Sequence, residues 1–142
     1  METREYLGLI IRYDRMVENK LLDIEKMRTM VTSTSVSQKD VNVQTSTDKD
    51  KLGSIVTKIV QLEKETDELI DKRFDIVRKI EKMPNLNEYD VLIQKYVLKK
   101  QIKELELDNA STYKQKLRFL KKAEKSFEEL YGKEYLFVPN VL

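Results

Sequence analysis

The chain has no cysteine, no histidine and no tryptophan. Disulfide frameworks are therefore excluded, as are zinc sites built on Cys or His. Hydrolases that need a histidine base are excluded as well. Only three glycines and two prolines occur: Gly8, Gly53, Gly132, Pro84 and Pro139. A β-rich fold needs more turn chemistry than that, and a phosphate-cradling loop needs clustered glycines. Long apolar runs are missing too. Leu9-Ile10-Ile11 is broken by charge within a few residues, so no membrane span and no membrane partner are expected. The opening Met-Glu-Thr-Arg-Glu-Tyr lacks the apolar stretch of a signal peptide. The absence of Cys fits a cytosolic setting.

What is present in the 142 residues is 37% charged and 40% apolar. With so few helix breakers, that balance describes long amphipathic helices and an all-α fold. The net charge of +2 conceals an uneven distribution. Residues 1–98 sum to −1, residues 99–125 to +5 and residues 126–142 to −2. A local basic block points to an anionic partner.

The first helix is expected over Thr3 to Val31. Apolar residues recur at Tyr6, Ile10, Tyr13, Val17, Leu21, Ile24, Met27 and Val31, a seam with steps of three and four. Residues 32–50 are rich in Ser, Thr, Asn and Asp, which compete with helix by bonding the local backbone. A loop is expected there, with a short extended piece at Val41-Asn42-Val43. A second helix is expected from about Asp48 to Met83, with Thr47 and Asp50 as its capping start and Pro84 as its stop. Its seam reads Leu52, Ile55, Ile59, Leu62, Thr66, Leu69, Arg73, Ile76, Ile80 and Met83. Two long helices with matched seams predict an antiparallel hairpin over residues 1–83, serving oligomerisation or partner docking. Two helices bury little surface by themselves, so a homodimer is expected.

Enzyme signals are sparse, and no catalytic residue, metal ligand or cofactor is assigned. Glu65, Glu68, Asp71 and Asp75 follow helical spacing, which in all-α nucleotide hydrolases can hold Mg²⁺. Their ordinary reading is a solvated face, with Lys72 and Lys79 pairing Glu68 and Asp75 four residues on.

Beyond Pro84 the character changes. Asn85 and Glu88 form a turn and cap. Short helices fit Glu88–Leu98 and Lys100–Leu107, with a break at Asp108-Asn109-Ala110. A longer helix runs from Ser111, as N-cap, to Tyr131, stopped by Gly132. Its apolar set Tyr113, Leu117, Leu120, Ala123 (or Glu124) and Phe127 makes one inward face. This layout matches a small helix-turn-helix domain over residues 84–132, whose last helix enters the DNA major groove. The candidate DNA-binding residues are Thr112, Tyr113, Lys114, Gln115, Lys116, Arg118, Lys121 and Lys122. Gln and Arg suit base edges, and Lys neutralises phosphate. The tail 133–142 is apolar, ending Tyr-Leu-Phe-Val-Pro-Asn-Val-Leu, and is expected to tuck against the fold or to dock on a partner.

Several stretches resemble a family of small late transcription regulators encoded by phages of Gram-positive bacteria. They are Glu5-Tyr6-Leu7 through Arg12-Tyr13-Asp14-Arg15-Met16-Val17-Glu18-Asn19-Lys20, the Ser/Thr-rich segment, and Ile55-Val56-Thr57-Lys58-Ile59-Val60-Gln61-Leu62-Glu63. The C-terminal helix-turn-helix of that family resembles region four of bacterial sigma factors. Here Leu92-Ile93-Gln94-Lys95-Tyr96-Val97 resembles the element leading into that domain, and Ser111-Thr112-Tyr113 to Ala123 its recognition helix. The turn reads Asp108-Asn109-Ala110, where the family usually has a glycine. The resemblance implies an activator of phage late genes. It would bind double-stranded promoter DNA and act with host RNA polymerase in the cytoplasm of the bacterial host. The other expectation is a helical adaptor that binds polymerase or another regulator and touches no DNA.

Overall fold

A computed structural model describes residues 1–40 and 46–139 of the chain. The fold is all-α, with helices α1 (Thr3–Asp40), α2 (Ser46–Glu81), α3 (Leu86–Leu92) and α4 (Tyr113–Tyr131). Among the described residues there is no strand, and Leu107 and Ala110 form an isolated antiparallel bridge.

The expected loop over 32–50 is narrower than its composition implies. Helix α1 continues past Val31 to Asp40, and α2 begins at Ser46, one residue ahead of the expected cap Thr47. At the entry to the Ser/Thr-rich run the hydroxyls do not break the helix. Thr29 and Thr32 donate their hydroxyls to the carbonyls of Glu25 and Arg28, four residues back, at 3.0 Å each. These hydroxyls are satisfied inside the helix rather than competing with it. The extended piece expected at Val41-Asn42-Val43 lies outside the described residues.

The described chain packs as two units. One unit is Asp14–Asp71; the other joins Met1–Tyr13 to Lys72–Leu142. Helices α1 and α2 therefore each contribute to both. Within Asp14–Asp71 they run antiparallel, Lys20 pairing with Glu65 at 2.7 Å and Arg28 with Glu63. Ile24, Thr66 and Leu69 are buried between them. Thr66 sits in the seam because its hydroxyl donates to the Leu62 carbonyl at 2.7 Å, leaving no unsatisfied polar atom there. Large apolar side chains remain open on this unit, including Leu22 at 63% and Val60 at 61% exposure.

The other unit holds the main core. Leu7, Leu9 and Ile10 from the start of α1 meet Ile76, Val77, Ile80 and Met83 from the end of α2. Val91, Leu92, Tyr96, Leu105, Leu120, Ala123, Phe127 and Tyr135 complete the cluster. Each large side chain buried here contributes roughly 1.5–3 kcal/mol. Asn85 caps α3, its side chain accepting from the backbone N–H groups of Asn87 and Glu88. After α3 the chain widens into a π-turn, Ile93–Val97, closed by Lys99 at φ 60° while the Lys100 N–H reaches the Gln94 carbonyl at 3.0 Å.

The helix expected over Lys100–Leu107 is confined to a 3₁₀ turn, Ile102–Glu104. Gln94 explains this. Its buried side chain accepts from the Glu106 N–H at 2.8 Å and donates to the Glu106 carbonyl at 2.9 Å. Both backbone groups of Glu106 are thus bound as a strand partner would bind them, and no helical ladder can use them. At the tail, Tyr135 is buried and stacks on Tyr6 with ring centroids 4.1 Å apart. The Met1 ammonium donates to the carbonyls of Tyr135, Leu136 and Val138 at 3.0–3.3 Å. Phe137 stays exposed.

Candidate nucleic-acid interface

Helix α4 owes its start to a capping box. Thr112, rather than Ser111, is the N-cap: its hydroxyl accepts from the Gln115 N–H at 3.2 Å. The Gln115 side-chain oxygen returns the bond, accepting from the Thr112 N–H at 3.2 Å and the Ser111 N–H at 3.0 Å. Orphan donors of the first turn are satisfied by side chains rather than by water.

The apolar face is the expected one at its centre. Leu120, Ala123 and Phe127 are buried and Leu117 is half-buried, whereas Tyr113 lies beyond the core at 57% exposure. Glu124 sets the rotation of the helix. It is a buried carboxylate that accepts from the Tyr96 hydroxyl at 2.9 Å and from Arg4 Nε at 3.2 Å. Burial, followed by the Glu124 charge, pushes the Tyr96 hydroxyl well above its ordinary phenol pKa, and Glu124 holds the Arg4 guanidinium above its own. Both effects keep the tyrosine protonated and the arginine charged, the forms that donate to Glu124.

With this face fixed inward, Lys114, Arg118 and Lys121 point outward and exposed, with Lys122 beside them. Lys125 extends the row, so Lys114, Arg118, Lys121 and Lys125 recur at steps of four, three and four along one stripe. Among the described residues, none of these five cations joins an ion pair. The other expected site residues are placed differently. Thr112 and Gln115 are engaged in the cap, and the Lys116 ammonium donates to the Lys103 carbonyl at 2.9 Å. The flank of α4 that carries Phe119 borders a small cleft, lined also by Asp90, Glu106 and Asp108.

Two parts of this arrangement escape the sequence reading. Lys125 belongs to the basic block but falls past the expected recognition segment, and only the helical step from Lys121 reveals it. Glu124, which the apolar spacing offers as an alternative to Ala123 on the inward face, is buried there together with Ala123, and its bonds to Tyr96 and Arg4 are what the sequence does not reveal.

Glu65, in the acidic row of α2, accepts from Lys20 and from Gln61 at 3.2 Å, and its carboxyl lies below the usual range, first because of the Lys20 bond. Lys79 does not pair with Asp75 as its spacing implies. It reaches Glu134 at 3.2 Å and donates to the Tyr6 hydroxyl at 2.7 Å. Among the described residues no three or more Asp and Glu side chains gather as a metal site, and no helix is long and apolar enough to cross a membrane. The chain matches no family model, no curated protein and no solved structure.

Proposed function

We propose that this is a duplex-DNA-binding protein whose contact element is the outer face of α4. More particularly, the resemblance noted above leads us to a phage transcriptional regulator, an activator of late genes. In this reading it works as a homodimer beside host RNA polymerase on promoter DNA in the bacterial cytoplasm. The observation that carries the proposal is the row of five exposed, unpaired cations on a helix whose opposite face is locked into a core. Long cationic side chains free of internal partners are what phosphate neutralisation requires. Tyr113, exposed beside the row, adds an aromatic contact.

A fluorescence anisotropy titration with duplex DNA tests this. Replacing Lys114 and Arg118 together with Ala is expected to weaken binding and to reduce the slope of log affinity against log salt by about two. Unchanged affinity removes α4 from the interface. A second reading, the adaptor that contacts only protein, is favoured by one observation: the open apolar side chains Leu21, Leu22, Met30, Val56 and Val60 on the Asp14–Asp71 unit. No duplex binding at low salt, together with co-purification of a polymerase subunit, would select it. Light scattering of the same sample tests the dimer.

A further inference from the structure

We infer that α4 is a phosphate-backbone anchor that does not read sequence, so that promoter choice belongs to a partner of this chain. The inference rests on the DNA-binding reading and narrows it. Base-edge recognition in a groove relies on bidentate side chains near the start of the recognition helix, Gln or Asn on adenine and Arg on guanine. Here the two best-placed side chains of that kind are already bound. Thr112 and Gln115 hold each other's backbone N–H groups, and Gln115 also holds Ser111. Lys116 is held by the Lys103 carbonyl.

What remains free is Lys114, Lys121, Lys122 and Lys125, with Arg118 as the one forked group among four point charges. From Lys114 to Lys125 the stripe runs about 16 Å at 1.5 Å per residue, which spans roughly five phosphates along one strand of a duplex at about 3.4 Å each. The flanking cleft, with Asp90, Glu106 and Asp108, repels a polyanion and confines it to the outer stripe. Four point charges in a row of this length follow phosphates, and Arg118 alone among the five has the fork to reach a base edge.

The test uses the full chain and a pool of random 30-base-pair duplexes. Five phosphate contacts give an expected salt slope of about −4.5, a loss of roughly 500-fold in affinity between 50 and 200 mM salt. Individual duplexes drawn from the pool are expected to agree within about threefold, with no motif enriched by selection, as follows for contacts confined to the backbone. Gln115→Ala, which loosens the cap of α4, should change the affinity of every duplex in the pool by the same factor. Changing all five cations to Ala should flatten the slope while circular dichroism shows the helix content retained. A motif preferred by about 100-fold or more, or a sequence-selective loss of affinity in Gln115→Ala, overturns the inference and leaves DNA binding standing. No duplex binding at 50 mM salt overturns the proposed function and the inference with it. Equal affinity for single-stranded RNA or for phosphatidylserine vesicles overturns the duplex as the occupant.

Discussion

At Lys99 the backbone takes a positive φ of 60°, in the left-handed region where an L side chain is strained. The position ends the π-turn, and glycine is the usual residue at such a helix stop. Lys99→Gly is therefore expected to stabilise the protein by about 0.5–1 kcal/mol, read as a rise in melting temperature. A fall would show that the Lys99 side chain outweighs its backbone strain. Individual side chains were the part of the site least legible in the sequence. Residue type made Thr112, Gln115 and Lys116 as eligible for DNA contact as Lys114 and Arg118. Only their hydrogen bonds separate the two groups, and those depend on which residue becomes the cap and on how close the Lys103 carbonyl lies. Gln94 was hidden for the same reason: nothing local says that an amide in an apolar run will bind the backbone of Glu106.

Elements were easier to read. The core of α4 follows from the spacing of Leu120, Ala123 and Phe127, and the end of α2 follows from Pro84. Errors arose where one side-chain chemistry has two outcomes. Thr hydroxyls can break a helix or bond its carbonyls four residues back, and Thr29 and Thr32 do the second. The segment after Leu98 carries apolar residues at Ile102, Leu105 and Leu107, a spacing that fits either a helix or an extended chain; packing chose the latter beyond one 3₁₀ turn. The capping box gives an element-scale prediction. Gln115→Ala removes an acceptor from the Ser111 and Thr112 N–H groups and should cost about 1 kcal/mol in thermal or urea unfolding. An unchanged midpoint would mean that water replaces the glutamine without penalty.

At the scale of the whole molecule, four groups in the unit built from Met1–Tyr13 and Lys72–Leu142 bias its stability toward lower pH. Burial raises the hydroxyl pKa values of Tyr96, Tyr135 and Tyr13. Burial opposes the charge on Lys79, but the Tyr6 hydroxyl and Glu134 outweigh it and raise that pKa too. In each case the folded state keeps a proton that the unfolded chain releases at about pH 10, so their contribution is whole below that pH and falls above it. The loss is expected to be largest for Tyr96, the most buried of the four, and smaller for the three that solvent reaches. Tyr96→Phe should lessen this alkaline loss and cost about 1–2 kcal/mol at neutral pH, because Glu124 loses a buried donor; urea titrations at pH 7, 10 and 11 measure both. The all-α class and the two long helices were legible from the apolar spacing. Sequence order cannot reveal that Leu7 and Ile10 share a core with Phe127, because that contact is made across most of the chain. The same closure has a kinetic consequence. Met1 bonds Tyr135, Leu136 and Val138 across as many as 137 positions. Helical proteins usually fold fast because their contacts are local. Here the first turn of α1 finds its place only against residues more than 130 positions on, and the protein should fold more slowly than its helix content implies.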